Sequence, residues 1–213
     1  MKKLYQHGKL SLALLLACTF LLIYLTDRFV LTFEFYKGSG EPLSGVPGQG
    51  SGNYLTLQKW VYLSSAAYLL LKLGVVSIIL HTALYLRERA VPYSDIFRVV
   101  TVAEFVFLIP AAVKLLSFNY TFQHGNLLDW HRYFILSALS LFRDVPADWF
   151  FALQSVNIFE PIYWLLLAAG VSHLTVQSFV EALITVLTSY VPAFVIWVVS
   201  VTFFTLMMFP ATG

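Results

Sequence analysis

Apolar residues run in long unbroken blocks separated by short polar stretches, and the blocks are the size of membrane spans. A bilayer core of about 30 Å takes roughly 20 apolar residues per helix. Five blocks meet that length, at about 9–25, 62–86, 97–116, 149–171 and 179–208. Between the first two lies 37-KGSGEPLSGVPGQGSGN-53, rich in Gly, Ser and Pro, which predicts a flexible loop. The stretch 127-LLDWHRYFILSALSLFRD-144 reads differently, with four charged or titratable residues (Asp129, His131, Arg132, Arg143) ahead of its final Asp144. Asp129, Arg132, Ser140 and Arg143 fall near one helical face and Leu128, Ile135, Leu139 and Phe142 near the other, which predicts an amphipathic helix lying in the headgroup plane. The expected fold class is therefore all-α, a polytopic integral membrane bundle of five transmembrane helices plus one interfacial amphipathic helix, in a single membrane domain.

Composition supports that class and narrows the function. Of 213 residues, 59% are hydrophobic and 11% charged, against roughly 25% charged in soluble domains. A formal net charge of +2 gives no reason to expect nucleic acid as a partner. The single cysteine, Cys18, allows neither a disulfide framework nor a thiolate metal cluster. The first 25 residues carry the basic start and apolar run of a signal peptide, with a cleavage-like box at Leu15-Leu16-Ala17-Cys18. The apolar run continues through Thr19–Leu25, which predicts a retained anchor. Basic residues at Lys2, Lys3, Lys9, Arg87, Arg89 and Arg98 would share one side, so the positive-inside rule predicts a cytoplasmic N-terminus and an outside C-terminus.

Polar residues inside the apolar blocks are the candidate functional residues. A charge at the bilayer centre costs at least about 2.5–3.5 kcal/mol on insertion scales, so such residues need partners. Lys72 lies near the middle of the second block and Glu160 near the middle of the fourth, and matching depth predicts an ion pair between them. Glu104 falls to one side of that level, and Lys114 is expected to snorkel. Pro110, Pro161 and Pro192 each interrupt one of the last three blocks, freeing the carbonyls of Val106, Asn157 and Thr188. Glu160-Pro161 is thus expected to face the bundle interior beside Asn157. These groups suit either a structural core or an ion path, and the run 191-VPAFVIWVV-199 offers a path no ion-binding side chain.

Catalytic motifs are missing: the chain has no HExxH, GxSxG or Gly-rich phosphate loop. His124, Asp129 and His131 could ligate a metal, but histidines seven apart beside Trp130 read better as interfacial residues. No cofactor is expected.

Two stretches, 93-YSDIFRVVTVAEFVFLIPAAVKLL-116 and 153-LQSVNIFEPIYWLLLAAGVSHL-174, resemble the Yip (Ypt-interacting protein) family, in particular its small bacterial relatives. The second is similar to the family helix on Asn157, Phe159, Trp164 and Gly170. The resemblance covers about residues 60–208 and implies five spans with a cytoplasmic N-terminus. The Asp-Leu-Tyr-Gly-Pro element of eukaryotic members is absent, so their trafficking roles are not implied. The function expected is a non-enzymatic multi-pass protein of a bacterial inner membrane, an accessory or scaffold subunit bound by membrane lipids and integral membrane partners. The alternative is a small transporter or channel using Lys72, Glu104 and Glu160.

Overall fold

The computed structural model describes residues 8–38, 50–122, 125–142 and 145–208. Its helices are α1 (Gly8–Phe29), α2 (Phe33–Gly38), α3 (Gly50–Leu86), α4 (Tyr93–Glu104) and α5 (Leu108–Thr121), then α6 (Leu127–Arg132), α7 (Phe150–Ser155), α8 (Phe159–Thr175) and α9 (Phe179–Met208). Among the described residues there is no strand, only an isolated antiparallel bridge between Ser137 and Asn157. Four helical stretches are long and apolar enough to cross a membrane: α1, α3 from Gly52, the continuous run Tyr93–Thr121, and α9. The protein is a membrane-embedded helical bundle.

Proline and asparagine explain where the expected spans depart from single helices. Pro110 has no N–H to give Val106, and the turn ahead of it tightens into a 3₁₀ segment at Phe105–Phe107, where the Leu108 N–H donates to Phe105 O. The block expected as one helix over 149–171 is in fact two, α7 and α8, broken at Val156–Ile158. There the Ala138 N–H donates to Val156 O (2.8 Å) and the Ile158 N–H to Leu136 O (3.1 Å), so the break is held by the preceding loop. Asn157 restarts the helix: its Oδ1 accepts from the N–H groups of Phe159 (3.0 Å) and Glu160 (3.2 Å). Pro161 is therefore not a mid-helix kink. It is the third residue of α8, where its missing N–H has no intrahelical acceptor to lose. Pro192 alone of the three lies inside a helix, α9.

The amphipathic stretch 127–144 is likewise not one helix. It is helical at Leu127–Arg132, turns at Tyr133–Leu136, and ends in a 3₁₀ segment at Ala138–Leu141; residues 143–144 lie outside the described residues. Asn126 and Asp129 form a reciprocal capping box that commits only the first turn and a half to helix. Leu136 then adopts a left-handed φ of 54° and turns the chain toward Asn157. Of the expected loop 37–53, residues 37–38 close α2 and residues 50–53 open α3; the rest lies outside the described residues.

Packing divides the bundle into two halves. In the closed half, α3, α4, α8 and α9 interlock through Leu73, Val76, Leu80 and Leu84 on α3 and Ile96, Val99, Val100 and Ala103 on α4. Tyr163, Leu167, Ala168 and Val171 on α8 and Ala182, Val186 and Tyr190 on α9 complete the core. These positions repeat at three and four residues, the stripe by which a helix presents one face. With lipid outside, association rests on close packing rather than on escape from water. Gly170 shows how close: a Cβ there would clash with the Val99 side chain. In the open half α3 and α9 continue without burial. No described residue of α3 before Leu69, and none of α9 beyond Tyr190, is buried. Among the described residues, helix α1 is buried only at Ser11 and Leu15 and lies against α4 and α5.

Candidate functional site

The intramembrane charges lie where the two halves meet. Lys72 projects from α3 beside the core residues Leu69, Leu73 and Val76, and Glu104 ends α4 four residues beyond Val100. Their side chains form an ion pair of 2.6 Å between Lys72 Nζ and Glu104 Oε1. The Lys72 ammonium also lies 3.8 Å from the Phe107 ring centroid and 5.4 Å from that of Tyr163. Charge neutralisation and two aromatic faces together make a cation tolerable at this depth. Glu104 Oε2 and the Tyr163 hydroxyl are both buried with no hydrogen bond, an unsatisfied remainder of the pair.

The expected Lys72–Glu160 pair is therefore corrected to Lys72–Glu104. The depth argument assumed Glu160 to be mid-helix, whereas α8 begins at Phe159 and Glu160 stands in its first turn. Its carboxylate accepts instead from the Tyr190 hydroxyl of α9 at 3.2 Å. The Trp164 indole Nε1 stands close to the same carboxylate without closing a hydrogen bond. Asn157 binds the backbone at the start of α8, as described above. Pro192 follows two residues after Tyr190, the last buried residue of α9, so the helix carries its break where the bundle opens.

Two half-open cavities flank this seam. One of about 420 Å³ lies among α1, α3 and α5, with Asp27, Glu104 and Lys114 in its wall. The other, of about 470 Å³, lies between α3 and α9 and is floored by Lys72, Asn157 and Glu160. Tyr68 lines both. Trp130 in the wall of the first belongs to an aromatic cluster, in which Phe118 lies tilted to Phe122 and edge-on to Trp130 with centroids 5.2 and 5.0 Å apart. Lys114 does not snorkel free. Its ammonium lies 4.3 Å from the Trp130 centroid and 4.5 Å from that of Phe134.

Residues named on weaker grounds have ordinary local roles. Ser178 and Glu181 exchange hydrogen bonds of 3.3 Å at the start of α9, a capping box written as Ser-x-x-Glu in the sequence. Asp129 serves the α6 cap, and His131 Nδ1 meets Leu127 O at 2.8 Å. His124 lies outside the described residues, and among those described no three His, Cys, Asp or Glu side chains gather as metal ligands.

A buried ammonium with two nearby carboxylates can hold a fixed charge arrangement, exchange a proton or accept a further cation. Sequence reasoning found all three charges but missed Tyr163 and Tyr190, the neutral groups between them. The signal was present: Tyr163 lies three residues after Glu160 on α8, and Tyr190 continues the Ala182–Val186 stripe at a spacing of four. Comparison of the chain with protein-family models, curated proteins and solved structures gave no match.

Proposed function

We propose that the chain is a non-enzymatic multi-pass membrane protein, an accessory or scaffold subunit that assembles with an integral membrane partner. The observation that carries this reading is the contrast along α9. Its first half is buried in the bundle as far as Tyr190, while Ala193–Met208 offers Ile196, Trp197, Val199, Phe203 and Phe204 to its surroundings, all more than half exposed. A long aromatic helix face outside the bundle supplies large area for helix contacts. Helix α8, of 17 residues and about 26 Å at 1.5 Å per residue, would serve as a fifth span. An odd number of spans then places the termini on opposite sides, as the basic residues favour for a bacterial inner membrane. The Yip-like reading fits the same arrangement and rests on the stretches 93–116 and 153–174, the second on Asn157, Phe159, Trp164 and Gly170.

Purification in mild detergent from native membranes tests the proposal. A stoichiometric membrane protein partner is expected, lost when Ile196, Val199 and Phe203 are replaced by serine. Recovery of the chain alone from those membranes would sink it.

A second reading, a small transporter, is favoured by one observation: two cavities reach the Lys72–Glu104 pair from different sides. A proton- or voltage-driven flux in liposomes holding the purified chain, lost in Glu104→Gln, would support that reading instead.

A further inference from the structure

The seam is short of one positive charge. Lys72 faces two carboxylates, and it is committed to Glu104 at 2.6 Å. Glu160 accepts a hydrogen bond from a neutral donor, the Tyr190 hydroxyl, with the Trp164 indole close by and the Lys72 ammonium near enough to be felt but not paired with it. The residue is only 7% exposed. Two carboxylates sharing one ammonium at this depth remain unfavourable, so a proton or a visiting cation is needed to complete their neutralisation.

The cavity beside it decides which kind of cation would fit. Glu160 stands in the floor of the 470 Å³ cavity, within the size range of small-molecule pockets. The wall carries Tyr68, Tyr190, Phe194 and Trp197, with aliphatic side chains between them. A hard metal ion needs six or more oxygen ligands; beside Glu160 the wall offers only the neutral oxygens of Ser155, Asn157, Ser200 and the tyrosines, and it also holds the Lys72 ammonium, already paired with Glu104. Aromatic faces around a single carboxylate suit a charge spread over an apolar body, which gains cation–π attraction, apolar contact and one ionic partner together. The cavity lies between α3 and α9, two of the helices long and apolar enough to cross a membrane.

We propose that this cavity binds a lipophilic organic cation, with Glu160 as its counter-charge and Tyr68, Tyr190, Phe194 and Trp197 as its aromatic wall. The proposal shares Trp197 with the partner-facing side of α9 but concerns binding within one chain and requires neither a partner nor transport, so it is tested on the chain alone.

Tetraphenylphosphonium is the probe, titrated into the full-length chain in detergent and followed by calorimetry. Triphenylphosphine oxide, similar in aromatic character and uncharged, is titrated alongside. The expected result is saturable binding of the phosphonium and none of the oxide. Glu160→Gln should weaken phosphonium binding at least about tenfold, the equivalent of ~1.4 kcal/mol, while Glu160→Asp keeps most of it. Absence of phosphonium binding, equal binding of the oxide, or unchanged affinity in Glu160→Gln would each overturn the proposal. In the first case the proton alone neutralises Glu160. The comparison of the two probes on unaltered protein needs no substitution, so a variant that fails to fold leaves the test standing.

Discussion

One helix, α9, passes through both halves of the bundle and behaves differently in each. Before Pro192 its residues Ala182, Thr185, Val186 and Tyr190 are buried along one helix face. After Pro192 the helix is just as apolar, yet none of its described residues is buried. Hydrophobicity therefore does not distinguish the two halves, because in a membrane both environments are apolar. Shape does. The closed half has small and β-branched side chains (Gly170, Ala168, Ala103, Val99) at its close helix contacts, whereas beyond Tyr190 the large side chains of α9, Phe194 and Trp197 among them, line a cavity instead of filling a core.

The contrast is most directly broken at the seam. Glu104→Gln should strand the Lys72 ammonium and cost about 3–5 kcal/mol, the usual penalty for removing one partner of a buried ion pair. The double change Lys72→Met with Glu104→Gln should recover most of that loss, and SDS unfolding titrations of the three variants measure it. Equal stability of wild type and Glu104→Gln would remove the pair from the account.

Next comes the contact that closes the packed half. Gly170→Ala would force a Cβ against Val99 and should cost about 1–3 kcal/mol by overpacking. Val99→Ala in the same background should return part of it. Additive effects of the two changes in a double-mutant cycle would show that α4 and α8 do not meet there.

Smaller effects are expected where the seam is held by neutral groups. Asn157→Ala removes the acceptor for two backbone N–H groups and should cost about 1 kcal/mol, with proteolysis or hydrogen exchange rising first at residues 156–160. Asn157→Asp should retain the cap, and unchanged exchange in the alanine variant would argue against it.

The least change of all sharpens the comparison. Val186→Ala and Val195→Ala delete the same atoms from one helix, nine residues apart. The first, fully buried, should cost about 1 kcal/mol through lost packing, and the second, about half exposed, should leave the unfolding curve unmoved. Equal shifts would mean that the open half is packed after all.

How far the sequence reveals this arrangement depends on the kind of signal. Long apolar blocks identify α1, α3 and α9 directly, because length and hydropathy are local properties. Helix starts set by a side chain were harder to weigh. Asn157 was noted as a polar neighbour of Glu160, and its capacity to cap moved the start of α8 to Phe159 and took Glu160 out of mid-helix. The charge pairing failed for that reason, since depth was counted from the wrong end. The helical stripe was the better guide: Glu104 continues Ile96 and Val100 at intervals of four, which puts it on the core face toward Lys72. The segment 127–158 was least legible. Its conformation depends on a bridge between Ser137 and Asn157, twenty residues apart, and pattern along the chain does not encode such a meeting.

The unequal lengths of α8 and α9 carry a consequence for the bilayer itself. Helix α9 has 30 residues and α8 has 17, or about 45 Å and 26 Å, against a hydrocarbon slab of about 30 Å. One bilayer cannot match both. With α8 as the proposed fifth span, lipids beside it would thin, while α9 would lean or carry Phe203–Met208 into the headgroup layer. The bundle therefore imposes a thickness gradient around its own perimeter, and membranes of different thickness will accommodate it at different cost.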